Sequence, residues 1–241
     1  MPAPIELRAR EPRGDAKPDG AQSPLLPVAR LTLLDQVHAQ LRQAIMSGRF
    51  RPGQALTLRS VAEALGVSHM PVRGALHRLE AEGALGAPTG RGTLLVPELR
   101  VSDLEEIRDI RVELEGLAAA RAAAIITPEE LAAVAAQVQL MQKAAVAGDL
   151  EAYILENWAF HTAVYRASHL SKLLGLIEGL WLRIGPYVGL MMPDREAMIA
   201  SMPNHHDVYA ALERGDAPAA RQSIAADIVE SAESLARVLG A

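Results

Sequence analysis

The stretch from Leu58 to Gly92 constrains the fold of this chain more than any other part of its sequence. It predicts a short helix over Leu58–Leu65, a tight turn, a second helix over His69–Glu82 and then a glycine-rich hairpin. Ser68 is a favoured residue for the N-cap of the second helix, and Pro71 falls in its first turn, where its missing N–H is tolerated. The pattern is typical of a winged helix-turn-helix, a fold that inserts its second helix into the major groove of DNA.

The residues around this stretch complete a small domain. A helix is predicted over Leu31–Ser47, because apolar residues recur there at helical spacing and a glycine follows. Segments 84–87 and 93–96 are expected to form the two strands of the hairpin. Residues 1–29 contain six prolines and no periodic pattern, so we expect a disordered arm. The predicted DNA-binding domain therefore spans residues 30–98.

The charge of the chain is divided between its two ends. Residues 1–97 hold 12 Lys and Arg against 8 Asp and Glu, whereas residues 98–241 hold 12 against 21. The net charge of -5 thus combines a basic N-terminal part, the front of the chain, with an acidic C-terminal part. This division indicates that only the front of the molecule meets phosphate.

The second half of the chain predicts an all-α domain over residues 99–241. Alanine and leucine dominate and aromatic residues make up only 3% of the chain, which favours helix over strand. We expect an antiparallel bundle of about six helices, a kink at Gly185-Pro186, and the longest loop over 191–203. The predicted helical segments are 102–125, 128–147, 149–168, 171–190, 203–214 and 217–239. The expected fold class is therefore mainly α.

The composition also limits where the protein acts. The chain contains no cysteine, which excludes disulfides and thiolate metal ligands and is compatible with the cytoplasm. We find no uninterrupted apolar run of the roughly 18 residues that a membrane helix needs, and no signal-peptide pattern at the N-terminus. We therefore expect a cytoplasmic protein with no membrane partner.

The candidate DNA-contacting residues cluster at the N-terminus of the predicted recognition helix and in the wing. Arg73 can donate two hydrogen bonds to the O6 and N7 atoms of guanine, or it can bind a phosphate. The alternative is that Arg73 is a solvated surface residue. A glycine in the wing lets its backbone approach the minor groove. The predicted set is Arg59, Ser68, His69, Met70, Arg73, Gly90 and Arg91.

These motifs resemble a known family. LRQAIMSGRFRPG, LGVSHMPVRGALHRLEAEG and GRG, between Leu41 and Gly92, are similar to the GntR family of bacterial transcription regulators. DLEEIRDIRVELEGLAAA at 103–120, NWAFHTAVYRAS at 157–168 and NHHDVYAALERGDAPAA at 204–220 resemble its FadR subgroup, with the helical effector domain called FCD. About six helices indicate the VanR-like branch. The resemblance implies a homodimer on a palindromic operator, usually a repressor, although His69 stands where the family commonly carries arginine.

The resemblance also implies a metal site in the bundle, because many members of the subgroup hold a divalent metal with one carboxylate and three histidines. The corresponding residues here are Asn157, His161, His205 and Asp227. An amide replaces the usual carboxylate and Asp227 replaces the third histidine. Two imidazoles and a carboxylate still suit Zn, Ni or Fe(II). Alternatively, His161 and Asn157 are buried residues satisfied by hydrogen bonds, in a pocket that binds ligand without metal.

A carboxylate effector is the second ligand that the resemblance implies. In this subgroup the residue equivalent to Arg111 often points into the cavity of the bundle and meets such a ligand. The alternative is an exposed Arg111–Glu115 pair one helical turn apart, which contributes only about 0.3–0.5 kcal/mol. The predicted effector-binding residues are Arg108, Arg111, Trp158 and Tyr165.

Together these features predict a transcription regulator, a repressor whose operator affinity is controlled by a small organic acid bound in the bundle. A divalent metal is a candidate cofactor. Two other hypotheses are an architectural DNA-binding dimer without an effector and a metal-dependent hydrolase. The chain carries no HExxH motif, and a hydrolase would leave the helix-turn-helix unexplained, so we predict that it is not an enzyme.

Overall fold

The computed structural model describes residues 31–86 and 93–240, and helices account for most of them. The predicted arm over 1–29 and the wing residues Gly90 and Arg91 lie outside the described residues. The described residues before 96 form three helices and two short strands. They are α1 (Leu33–Met46), β1 (Ala55–Leu56), α2 (Leu58–Leu65), α3 (His69–Ala81) and β2 (Leu94–Leu95).

Helix α1 follows from its capping residues and its apolar face. Thr32 and Asp35 form a capping box, in which each side chain accepts a hydrogen bond from the backbone N–H of the other. Val37, Leu41 and Ile45 recur at helical spacing and are buried, as the sequence predicts. The helix therefore begins at residue 33 and packs its apolar face against α3.

The turn between α2 and α3 has the expected helix-turn-helix geometry. Gly66 ends α2 with φ at 63°, a left-handed conformation that glycine adopts without strain. Ser68 occupies the N-cap position of α3, as predicted, although its side chain makes no capping hydrogen bond. The reason is Pro71, because it is the third residue of α3 and lacks the N–H that such a cap would bond. The Ser68 hydroxyl is thus left available to a ligand.

The strand pairing differs from the predicted hairpin. Leu94–Leu95 pairs antiparallel with Ala55–Leu56, a strand that the sequence analysis did not predict. Among the described residues of segment 84–87, Gly86 contacts β2 through a hydrogen bond from its N–H to the Leu95 carbonyl, at 2.8 Å. Two-residue strands carry too little alternation to reveal their partner.

The second part of the fold is a helical bundle, as predicted. Helix α10 packs along α4 and α9, and α5 packs against α6 and α9. Among residues 93–240 it contains six long helices and one single-turn helix. They are α4 (Val101–Ile125), α5 (Pro128–Ala147), α6 (Leu150–Arg166), α7 (Ser171–Ile184), α8 (Val188–Met191), α9 (Arg195–Glu213) and α10 (Ala217–Leu239). The mainly α fold class is confirmed.

The region 191–203 is where the predicted loop is wrong, because α9 begins at Arg195 and runs through most of it. The Asp194 side chain caps this helix by accepting a hydrogen bond from the Ala197 N–H at 2.9 Å. Pro203 lies inside the helix, although an internal proline removes one backbone hydrogen bond. Met198 and Met202 are buried in the core. This continuous buried face offsets the cost of the proline.

One segment of the bundle, Ser171–Met191, is long and apolar enough to cross a membrane by length and composition alone, although charged residues interrupt it. Leu173, Ile177 and Trp181 from this segment are buried in the core. The 3-10 turn Gly185–Tyr187 interrupts it at the predicted kink. These features are those of a core helix of the bundle.

Helix α1 joins the bundle at a contact built around Gly185. A Cβ added to Gly185 would lie 2.5 Å from the carbonyl oxygen of Met46 and 2.7 Å from that of Ile45. Arg42, also on α1, pairs with Glu178 of α7 at 2.7 Å. The end of α7 therefore packs directly against the end of α1.

We expect Gly185→Ala to lower the free energy of unfolding by about 1–3 kcal/mol, because its methyl group would overlap fixed backbone carbonyls. Gly179→Ala is the matched control, since Gly179 lies inside α7 with no heavy atom within 4 Å of the added Cβ. Alanine there should raise stability by about 0.5–1 kcal/mol. Urea denaturation followed by circular dichroism measures both. Equal stability of the two variants would contradict the close approach at Gly185.

Candidate functional site

The four predicted metal ligands come together inside the bundle. Asn157 and His161 lie one turn apart on α6, His205 lies on α9 and Asp227 on α10, and all four are buried. Ligand-capable atoms of His161, His205 and Asp227 all lie within 4.8 Å of one another. The Nε2 atoms of His161 and His205 are 3.4 and 3.7 Å from the two carboxylate oxygens of Asp227.

The hydrogen bonds of His205 show what this cluster can bind. Its Nδ1 lies 3.0 Å from the Ser201 carbonyl, which can only accept, so Nδ1 carries the proton. In a neutral ring Nε2 then presents a lone pair, and it faces the Asn157 Oδ1 at 3.0 Å as well as Asp227. Several acceptors therefore converge on one buried point, where a cation would satisfy them.

Burial sets the charge states in the cluster. It lowers the pKa of His161 well below 6.5, and the nearby His205 and Arg111 lower it further. The imidazole is therefore neutral, which is the form that binds a metal. Burial also raises the pKa of Asp227, although His205 and Arg111 oppose that shift. A bound cation would offset the cost of burying this carboxylate.

Arg111 is buried, and it pairs with Glu115 through two hydrogen bonds of 2.6 and 3.2 Å. Its guanidinium also lies over the Trp181 ring, 4.9 Å from the ring centroid. A buried Arg111 and an Arg111–Glu115 pair were expected as alternatives, but the structure combines them. The expected exposed pair is therefore wrong. The Arg111 guanidinium N–H groups that a carboxylate effector would need already donate to Glu115.

The other predicted effector residues lie in different surroundings. Arg108 is half-buried and pairs with its neighbour Asp109 at 2.7 Å. Trp158 is buried against Trp181, with ring centroids 4.9 Å apart. Tyr165 is also buried and hydrogen-bonds to both Glu115 and His161. Glu115 was thus missed as part of the site, and its sequence signal was its spacing from Arg111.

A cavity of about 190 Å³ opens beside the cluster, between α8, α9 and α10, with Asp227 in its wall. Its polar lining consists of hydroxyl and amide groups and charged side chains. They include Ser201, Asn204, Glu230, Ser231, Ser234 and Arg237. A small polar molecule can therefore approach the cluster from this side.

Those predicted DNA-contacting residues that the structure describes are all exposed on the helix-turn-helix. His69, Met70 and Arg73 are exposed at the start of α3, and Met70 is 73% exposed. Arg59 is exposed on α2 and pairs with Glu63 at 2.7 Å. The opposite face of α3 is buried in the core through Val72, Ala75, Leu76 and Leu79.

Comparisons with known proteins now identify the family. Residues 33–95 match the bacterial regulatory proteins of the gntR family, and residues 106–229 match the FCD domain. The HTH-type transcriptional regulator McbR of Escherichia coli (strain K12) is 34% identical over 197 residues, 81% of this chain and 89% of McbR. The chain belongs to the GntR family. It is a transcription regulator with a GntR DNA-binding domain and an FCD domain.

Further relatives agree with this assignment. YdhC of Bacillus subtilis (strain 168), an uncharacterized HTH-type transcriptional regulator, is 30% identical over 210 residues, 85% of this chain and 91% of YdhC. The solved structure of E. coli McbR/YncC covers 87% of this chain and 99% of its own at 32% identity, with a TM-score of 0.81. A putative GntR regulator from Rhodococcus sp. RHA1 shares the fold, with 24% identity and a TM-score of 0.68 over 86% and 98% of the chains. These GntR relatives are regulators, so the prediction that the chain is not an enzyme is confirmed.

Proposed function

We propose that this GntR regulator is a cytoplasmic repressor that binds a palindromic operator as a homodimer, and that a small organic acid bound at a metal in its bundle controls operator affinity. The observation that carries the proposal is the buried convergence of His161, His205 and Asp227, on a bundle that packs against α1. A bundle that served only to join two subunits would have no need of such a costly polar cluster.

The exposed start of α3 supports the DNA-binding part of the proposal. Arg73 offers a fork for guanine or phosphate, and the exposed Met70 suits the methyl group of thymine. The uncapped Ser68 hydroxyl lies at the N-terminus of the helix, where phosphate is favoured. The proposed contacts are those predicted from the sequence, including Gly90 and Arg91 in the wing.

The donor set fits a divalent transition metal such as Zn, Ni or Fe(II). His161 and His205 supply imidazole nitrogen, Asp227 supplies carboxylate oxygen and Asn157 supplies amide oxygen. A metal bound there would act as a Lewis acid, and an effector carboxylate would complete its coordination. The side chains orient the site and exclude bulk water from it.

The size and polarity of the cavity beside Asp227 support a small polar effector. About 190 Å³ accommodates only a small molecule, and hydroxyl groups from Ser231 and Ser234 suit a hydroxy acid. Arg237 lies in the same lining and can attract its negative charge. Because Arg111 is paired with Glu115, the acid carboxylate meets the metal rather than Arg111.

Helix α7 offers a route from the cluster to the DNA-binding domain. Its Trp181 ring lies 5.3 Å from the His161 ring, measured between centroids. Four residues further on, Gly185 contacts the carbonyls at the end of α1. An effector that shifts Trp181 would therefore shift α1, and with it the spacing of the two recognition helices in the dimer.

Operator binding in the presence of candidate effectors tests the proposal. Duplexes that bind the protein are first selected from a random pool, and their affinity is measured by fluorescence anisotropy with the Zn- or Ni-loaded protein. A panel of mono-, di- and tricarboxylic acids, with and without hydroxyl groups, is then added. We expect at least one acid to weaken binding about 5- to 150-fold, but only when metal is present. Unchanged affinity with every acid would favour the architectural alternative.

A further inference from the structure

A chain of buried side chains leads from Arg111 to the cluster. Two hydrogen bonds join Arg111 to Glu115, whose side chain is fully buried. The other end of the chain is Tyr165, whose hydroxyl hydrogen-bonds to Glu115 and lies 2.9 Å from the Nδ1 of His161. The proposed metal ligand His161 is therefore connected to a buried ion pair through a single hydroxyl group.

The direction of each hydrogen bond in this chain follows from its chemistry. Arg111 only donates, so the Glu115 carboxylate paired with it only accepts. The Tyr165 hydroxyl has one hydrogen and must donate it to Glu115. Its oxygen can then only accept from His161, so Nδ1 of His161 carries the proton of the neutral ring. The lone pair of that ring is left on Nε2, which faces Asp227.

We propose that Tyr165, held by Glu115 and Arg111, is the positioning group that fixes the tautomer of His161 and aims its Nε2 at the metal. This inference rests on the metal site of the proposed function and assigns a different role to two residues predicted to bind effector. A histidine that binds a metal usually donates its other ring N–H to such a partner, which also orients the ring.

His205 reaches the same state by a different route. Its Nδ1 donates to the Ser201 carbonyl one turn back on α9, an acceptor that its own helix supplies. The corresponding carbonyl on α6 belongs to Asn157, and His161 uses the Tyr165 hydroxyl instead. Both rings therefore present Nε2 to Asp227, but the orientation of His161 depends on side chains that substitution can remove.

The tautomer itself can be measured in the metal-free protein. Long-range 1H–15N correlation spectra distinguish a neutral imidazole protonated on Nδ1 from one protonated on Nε2, and the signals lost in His161→Gln identify that ring among the seven histidines. We expect His161 in the folded protein to carry its proton on Nδ1. A proton on Nε2 would overturn the inference, whether or not the protein binds metal.

Metal affinity measures the effect of this positioning. Tyr165→Phe removes one oxygen, and we expect the Kd for Zn²⁺ or Ni²⁺, from competition with a chromophoric chelator, to rise about 10- to 100-fold. Tyr187→Phe is the matched control, because that buried hydroxyl donates to the Pro97 carbonyl at 3.1 Å, in the segment between β2 and α4. Its Kd should equal that of the unmodified protein.

The outcomes separate this inference from the proposed function. An unmodified protein that binds neither metal would contradict the proposed metal site, while the histidine spectra would still decide the tautomer. Metal binding that Tyr165→Phe leaves unchanged would contradict the positioning role alone. Circular dichroism establishes that Tyr165→Phe is folded, and if it is not, Glu115→Gln provides the second variant. Glutamine there removes the charge that holds the Tyr165 hydrogen, and we again expect weaker metal binding.

Discussion

His161→Ala should abolish the stabilisation of this protein by divalent metal. At a Zn²⁺ or Ni²⁺ concentration 100 times Kd, a single site raises the free energy of unfolding by about 2.7 kcal/mol, or the melting temperature by roughly 5–11 °C for a chain of this size. The variant loses one of two imidazole ligands that meet at Asp227. Thermal denaturation of metal-free and metal-loaded protein measures the shift, and elemental analysis counts the metal bound per chain.

Asp227→Asn is the companion variant, because it keeps the shape of the side chain and removes the carboxylate that faces both imidazoles. It should also lose most of the shift, since two neutral imidazoles and two amides form a poor site for a dication. His206→Ala is the matched control. His206 is the exposed neighbour of His205 and lies 3.2 Å from the Gln142 Oε1, so its loss should leave the shift unchanged.

If His161→Ala responds to metal as strongly as the unmodified protein does, the cluster is not the site that holds the ion. A metal shift that His161→Ala and Asp227→Asn keep, but His206→Ala loses, would instead indicate binding at the surface histidine. If no protein in the series responds to metal, the proposed metal site is wrong.

Much of this fold could be predicted from the sequence because the residues that begin and end its helices act locally. Gly66 takes the left-handed conformation that ends α2, and the Thr127 and Glu130 capping box begins α5. The spacing of Asn157 and His161 placed both on one face of α6. Their convergence with His205 and Asp227 followed only from resemblance to the family, since no local pattern brings three helices together.

The predictions failed where tertiary packing overrides local preference. Pro203 indicated the end of a loop, but Met198 and Met202 extend the buried face of α9 across it. Arg111 and Glu115 have the spacing of an exposed pair, and only the surrounding bundle shows that both are buried. The partner of β2 was missed because it lies about 40 residues earlier in the chain, in a strand of two residues.

Arg73→Ala should weaken operator binding by about 1–3 kcal/mol, or 5- to 150-fold, while leaving the fold intact. Arg73 is exposed at the N-terminal end of α3, beside the exposed Met70, and the core face of that helix does not include it. Fluorescence anisotropy with a selected operator gives the Kd. Arg121→Ala is the matched control, because it removes the same charge from an exposed position on α4 in the bundle.

Arg73→Lys then distinguishes the two contacts that arginine can make. Lysine keeps a positive charge for phosphate but lacks the fork that reads the O6 and N7 atoms of guanine. If Arg73 reads guanine, Arg73→Lys should lose nearly as much affinity as Arg73→Ala, and the preference for one base pair should relax. If it clamps phosphate, lysine should restore most of the affinity, and only alanine should reduce the slope of log K against log salt by about 1. Full affinity in Arg73→Ala would mean that another face of the domain meets DNA.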